Sequence, residues 1–177
     1  MISLLNIGMF SVNSKNDSAL DPAKEKLFTR PGFLIRRLHQ IHVALFLEEL
    51  KSQTIAPGIT PVQFGLMTAV AALPGLDQTA LGQEIGLDRT TTADVVKRLE
   101  QRGLVHRIPS ALDRRTRHVH LTDKGQQVVE SLQPEIVRSQ ERLLEPLRPA
   151  EKIMLMDLMR RLVEANNQYS RAILRGI

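Results

Sequence analysis

No cysteine occurs among the 177 residues, which removes disulfides, thiolate metal sites and thiol redox chemistry together. Tryptophan is also absent, tyrosine occurs once, and aromatics make up only 3% of the chain. A core without large rings must be assembled from Leu, Ile, Val, Met and Ala, which favours packed helices over a β-sandwich. No apolar run approaches the roughly 20 residues of a membrane-spanning helix, so no membrane partner is expected. The apolar start MISLLNIGMFSVNSKNDSALD lacks a basic n-region and a small-residue cleavage site, and residues 1–26 read as a flexible tail. A cytoplasmic location is the expectation. Missing too are a Gly-rich phosphate loop, a nucleophile elbow and a zinc signature, so no catalytic residue, metal or cofactor is expected. The paired acids Glu48 and Glu49 fall at an exposed helix end, and the chain does not read as an enzyme.

What the sequence does contain is a localised charge. Its length suits one domain with a real core, and its hydrophobic content of 42% is ordinary for a globular protein. The formal charge is +5. From Arg89 to Lys124, nine Lys and Arg residues stand against four Asp and Glu, so that segment carries the whole excess and the rest sums to zero. A basic block on a neutral chain is the footprint of a polyanionic partner, although a merely solvated face would look alike.

Hydrophobic periodicity predicts a first helix over about 31–50, with Leu34, Leu38, Ile41 and Leu45 on one side and Ile35, His42 and Phe46 extending a broad buried arc. His39 falls at the arc's margin, Arg36 just beyond it, and Arg37 on the other border. TPVQ, Thr60 to Gln63, forms a capping box with proline at the first helical position. The helix it starts should stop at Pro74-Gly75. A short helix is expected over Thr79 to Ile85, with Gly86 as its left-handed cap and Asp88 capping RTTTADVVKRLEQR, which Gly103 closes. Leu81, Ile85, Leu87, Val95, Val96 and Leu99 would form a small core between the two. The opposite face of the second would display Arg89, Thr90, Thr91, Asp94, Lys97 and Arg98. LVHRI and RHVHL read as the strands of a hairpin whose loop is PSALDRRT. A long helix follows from Thr122 to about Leu144, bent at Pro134, and a final amphipathic helix runs over about 150–174.

A helix-turn-helix followed by a basic hairpin is a winged helix. LGQEIGLDRTTTADVVKRLEQRGLVHRIPSALDRRTRHVHLTDKG closely resembles the MarR family of bacterial transcription regulators. Asp113, Arg114, Arg115, Val119, Leu121, Thr122 and Gly125 occupy the family's wing pattern, and Leu99, Glu100 and Gly103 its LxxLExxG step. The resemblance implies a mainly α fold with a small β-hairpin wing, in one domain over residues 27–174. The winged helix would span about 60–122, flanked by dimerisation helices at about 31–50 and 123–174. It also implies a homodimer that binds a pseudo-palindromic double-stranded operator. Such a protein would be a transcription regulator, most often a repressor. An activator of the same fold and a non-sensing architectural DNA-binding protein are the alternatives.

Within that frame the basic block acquires roles. Arg89, Thr90, Thr91 and Thr92 are candidates for base and phosphate contacts in the major groove, although each threonine has a competing local role at a helix start. Lys97 and Arg98 would touch the DNA backbone. Arg115 is the preferred minor-groove residue, oriented by Asp113, with Arg114 and Arg117 as backbone or strand-anchoring contacts. Family members are commonly released by small aromatic molecules held where the first two helices and the long fifth helix meet the winged helix. Here that region would draw on Arg36, His39, His42, Phe46, Phe64 and Met67. The first two helices also resemble members that control catabolism of hydroxycinnamates and related acids, some of which sense the coenzyme A thioester. Arg36 and Arg37 would then serve as carboxylate or phosphate partners. Ordinary packing of Phe46, Phe64 and Met67, and helix-edge histidines at His39 and His42, remain the alternatives. The i, i+3 histidines lack the further ligands that a metal site needs.

Overall fold

Thr60 starts the first element of the central core. In the structure, a computed structural model describing residues 26–110 and 116–174, its hydroxyl accepts the Gln63 N–H at 3.2 Å while the Gln63 side chain accepts the Thr60 N–H at 3.1 Å. The reciprocal box satisfies donors that a helix leaves orphaned and fixes the start of α2 (Pro61–Ala72). Before it comes α1 (Pro31–Glu49), preceded by a helical turn at residues 26–28. After it come α3 (Gln78–Ile85), α4 (Arg89–Gln101), β1 (Val105–Pro109), β2 (Arg117–Leu121), α5 (Asp123–Leu144) and α6 (Pro149–Asn166). The order is that of a winged helix with flanking helices. The chain divides into two compact units, Met1–Leu38 and His39–Ile177, with the division falling inside α1.

In the second unit the core sits between α2, α3, α4, the hairpin and α5. Leu66, Met67, Leu81, Val96, Leu99, Val119, Val128 and Leu132 are fully buried within it. Each such side chain contributes on the order of 1.5–3 kcal/mol of transfer free energy, so aliphatic packing alone supplies the core that the scarcity of rings demanded. Ile85 packs against it half-buried.

Three expectations are corrected. The arc of α1 is largely uncovered: Phe46 is its only buried residue, while Leu34, Ile35, Leu38 and Ile41 are exposed. An amphipathic stripe shows which side seeks a partner, not that the same chain provides one. Glu49 is not a solvated acid, since Arg138 and Arg142 of α5 both pair with it. Finally, α6 stops at Asn166, eight residues short of the expected end, and continues as a 3₁₀ turn, Asn167–Tyr169. The Asn167 amide then bonds the Leu174 backbone at both ends, donating to its carbonyl and accepting from its N–H, each at 3.0 Å. Asparagine competes with the helix by offering the backbone another partner. Pro134, where a bend is expected, lies on the exposed side of α5, which runs through it from Asp123 to Leu144.

Candidate nucleic-acid interface

Two capped helices meeting at a glycine turn form the candidate interface. Asp77 caps α3 by accepting the Ala80 N–H at 2.8 Å. Gly86 ends α3 with φ 69°, a left-handed conformation open to glycine at little cost. Asp88 caps α4, one carboxylate oxygen accepting the Thr91 N–H at 2.9 Å and the other the Thr91 hydroxyl at 2.7 Å. Those two bonds, N–H first, hold the Asp88 carboxyl below the usual aspartate range. The helices approach closely at Gly82, where a Cβ would lie 2.6 Å from the Thr92 hydroxyl and 2.7 Å from the Leu87 carbonyl oxygen.

The candidate DNA-contacting residues separate by face. Arg89, Thr90, Lys97 and Arg98 are exposed on α4, and Arg98 leans on Asp94 at 2.8 Å. Thr91 is exposed, with its hydroxyl donated to Asp88. Thr92 does not belong with them. It is fully buried, and its hydroxyl donates to the Asp88 carbonyl at 2.8 Å. One turn before Val95 and Val96, it lies on the packed face, so its role is to lock the turn.

The hairpin is tied to this unit at several points. β1 and β2 pair antiparallel from Val105↔Leu121 to Pro109↔Arg117, and the Ser110 N–H donates to the Thr116 carbonyl at the neck of the loop. The Val119 N–H reaches the Leu76 carbonyl at 3.0 Å, fastening β2 to the segment before α3. Arg107, counted in the basic block, is half-buried and engaged within the fold. It pairs with Glu100 of α4 through two nitrogens and donates to Gln78 of α3 at 3.2 Å. The arginine holds the Glu100 carboxyl below its usual range. Arg102 likewise donates to the Pro57 carbonyl at 2.9 Å. Arg117 is exposed at the outer end of β2. Asp113, Arg114 and Arg115, the expected wing tip, lie outside the described residues.

A second feature lies beside α2 and α5. A cleft of about 280 Å³ is lined by His42 and Phe46 of α1, Pro61, Phe64, Gly65 and Thr68 of α2, and Gln133, Ile136 and Gln140 of α5. The Phe46 and Phe64 rings meet edge to face at 6.3 Å, and His42 stands edge-on to Phe46 at 6.4 Å. Burial, followed by the nearby His39, pushes the His42 imidazole below its ordinary value. Of the residues suggested for a ligand, the cleft thus gathers His42, Phe46 and Phe64. Met67 is fully buried core, and His39 is exposed with its ring 6.4 Å from that of His42. Arg36 belongs to the first unit, its guanidinium 5.4 Å from the Phe33 ring centre, and Arg37 is exposed in the same unit. Sequence reading missed Gln133, Ile136 and Gln140. Their i, i+3, i+7 spacing, with two amides bracketing an apolar residue on one helical face, was the available signal. Among the described residues no cluster of three or more His, Asp or Glu suits a metal, and no helix is long and apolar enough to cross a membrane.

Known proteins share both sequence and fold with this chain. The MarR family profile matches residues 58–116. The transcriptional regulator HosA of Escherichia coli is 34% identical over 129 residues, covering 73% of this chain and 91% of HosA. The PcaV transcriptional regulator of Streptomyces coelicolor, solved with its natural ligand, is 37% identical with a TM-score of 0.71, covering 84% of this chain and 98% of PcaV. BpsR of Bordetella bronchiseptica, whose DNA binding is regulated by 6-hydroxynicotinic acid, is 27% identical with a TM-score of 0.70, covering 76% and 93%. The transcriptional repressor CouR, bound to a 23-mer DNA duplex, is 26% identical with a TM-score of 0.73, covering 82% and 99%. A capped helix-turn-helix, a basic hairpin locked to it by Arg107, and relatives that are regulators rather than enzymes lead to one conclusion: this chain belongs to the MarR family of DNA-binding transcription regulators.

Proposed function

We propose that the chain is a homodimeric repressor that leaves a pseudo-palindromic operator when a small aromatic acid, or its coenzyme A thioester, enters the cleft beside His42. Residues 27–174 would act as one MarR-like domain, and a cytoplasmic location goes with that role. The observation that carries the DNA-binding half is the exposed α4 face of Arg89, Thr90, Lys97 and Arg98 on a rigidly capped turn. In this reading Arg89, Thr90 and Thr91 meet base edges or phosphates, the threonines through methyl and hydroxyl groups, while Lys97 and Arg98 meet the backbone. Asp113, Arg114, Arg115 and Arg117 would serve the wing.

The cleft supports the sensing half. Phe46 and Phe64 offer ring-sized apolar walls, and His42, Thr68, Gln133 and Gln140 offer polar groups for a carboxylate or phenol. BpsR, regulated by 6-hydroxynicotinic acid, shows that an aromatic acid controls one protein of this fold. His39 keeps the assignment that resemblance gives it, whereas Met67 belongs to the buried core and Arg36 and Arg37 to the first unit. A ligand that favours a DNA-incompetent conformation shifts the population away from the operator. The exposed apolar residues of α6 support dimerisation.

Selection of bound sequences from a random duplex library tests the reading. The expected result is an enriched site with two-fold symmetry and half-sites about one helical turn apart. Benzoate, hydroxybenzoates, hydroxycinnamates or their thioesters should then release it. Equal affinity for all duplexes would identify an architectural protein, and an operator complex indifferent to every such acid and thioester would remove the sensing role.

A further inference from the structure

The segment after α6 folds onto the helix-turn-helix. Beyond the 3₁₀ turn, the Asn167 amide clamps both backbone groups of Leu174, and the Ala172 N–H donates to the Ser170 hydroxyl at 3.2 Å. The Leu174 side chain rests on the turn itself: a Cβ at Gly86 would come within 3.3 Å of it. Held in this way, Arg171 forms one wall of a groove of about 270 Å³ whose other walls include Gln78, Thr79 and Gln83 of α3 and Asp88 and Arg89 at the start of α4.

The chemistry of this groove suits an anion. Two arginines from distant parts of the sequence line it with four neutral polar residues, Gln78, Thr79, Gln83 and Thr92. The single acid, Asp88, has each carboxylate oxygen engaged by Thr91. Among the described residues no carboxylate oxygen comes within 4.0 Å of Arg89 or Arg171, both are exposed, and Arg171 stands near enough to Asp88 to help hold its carboxyl low. The N-terminus of the thirteen-residue α4 adds its partial positive charge at the same point. The groove is also continuous with the exposed α4 face, because Arg89 belongs to both.

We propose that residues 170–174 are a further DNA-contacting element, in which Arg171, lining the same groove as Arg89, takes a phosphate of the duplex backbone. The inference rests on the proposed approach of α4 to DNA. It gives the chain's last described segment a function separate from the wing: the segment braces the turn through Leu174 and extends the phosphate-binding surface through Arg171. Because the contact is to phosphate, it adds affinity on every sequence and discriminates among none.

Fluorescence anisotropy with the full-length protein and a labelled duplex of mixed sequence, read across a salt series, tests this. Arg171→Ala should weaken binding by about threefold to tenfold and reduce the salt dependence by about 0.9 in log–log slope for each phosphate released. Arg171→Lys should restore most of the slope. Asn167→Ala, which frees the segment, should reproduce the loss, and the double variant should bind no worse than Arg171→Ala alone. Unchanged affinity and slope in Arg171→Ala would overturn the proposal. Tighter binding by that variant would also overturn it, since the segment would then shield the surface. Arg89→Ala separates the two levels: if it too leaves binding unchanged, the approach of α4 to DNA has failed, not merely the role of Arg171.

Discussion

His42 carries the most testable chemistry at the scale of single residues. Burial, with His39 nearby, lowers its pKa below the ordinary 6.5, so the folded protein prefers the neutral ring near pH 7. The unfolded chain therefore binds this proton more readily. The stability that the neutral ring contributes is full above the ordinary value and is lost as pH falls through it toward the folded one. A carboxylate entering the cleft would favour the imidazolium and draw a proton in. Affinity for an aromatic acid should therefore rise as pH drops from about 8 to about 6, and His42→Gln should flatten that rise. Calorimetric titrations at several pH values would check it; a wild-type affinity independent of pH takes His42 out of contact with the acid. The threonines teach a complementary lesson. Thr90, Thr91 and Thr92 look alike in sequence, yet about 100° of rotation per residue turns Thr92 inward to the packed face with Val95 and Val96. Periodicity contained that distinction. What it did not contain was Arg107: only folding brings Glu100 and Gln78 within its reach and turns a counted charge into a brace.

At the scale of elements, local chemistry made most boundaries legible. Thr60, Asp88, Gly86 and Thr122 do in the structure what their types imply, because a cap is settled within four residues. The end of α6 was not legible, since it depends on Asn167 meeting Leu174 seven residues later. Nor was the cleft wall on α5, which depends on how that helix is set against α2. The close approach of α3 and α4 invites a direct test. Gly82→Ala would press a methyl against the Leu87 carbonyl and the Thr92 hydroxyl at 2.7 and 2.6 Å. The carbonyl belongs to the turn and cannot swing aside, so overpacking should cost about 1–3 kcal/mol. The urea midpoint should fall accordingly with an unchanged slope; a midpoint equal to that of the wild type would mean that the turn yields freely.

For the whole molecule the decisive feature is α6, which has no buried residue in the single chain. Ile153, Met154, Met156, Leu158, Met159, Leu162 and Val163 are all exposed along its eighteen residues. At about 25 cal/mol per Å², leaving such a surface in water forfeits several kcal/mol that a second copy would recover. A specific protein interface typically buries about 1,600 Å² in total. A dimer also changes DNA binding beyond its stability. Two linked winged helices convert the second half-site into an intramolecular event, which raises avidity by about 10² to 10⁴. Leu162→Glu inserts a charge into that surface and should yield a folded monomer by sedimentation velocity, with the helical circular dichroism retained. Its affinity for a symmetric operator should fall toward that for a single half-site, whereas the wild type should lose the same affinity only when one half-site is scrambled. A variant that stays dimeric would move the interface elsewhere on the chain. A wild type that is monomeric at micromolar concentration yet binds its operator fully would mean that each winged helix reads DNA alone, with the α6 face left for a different partner.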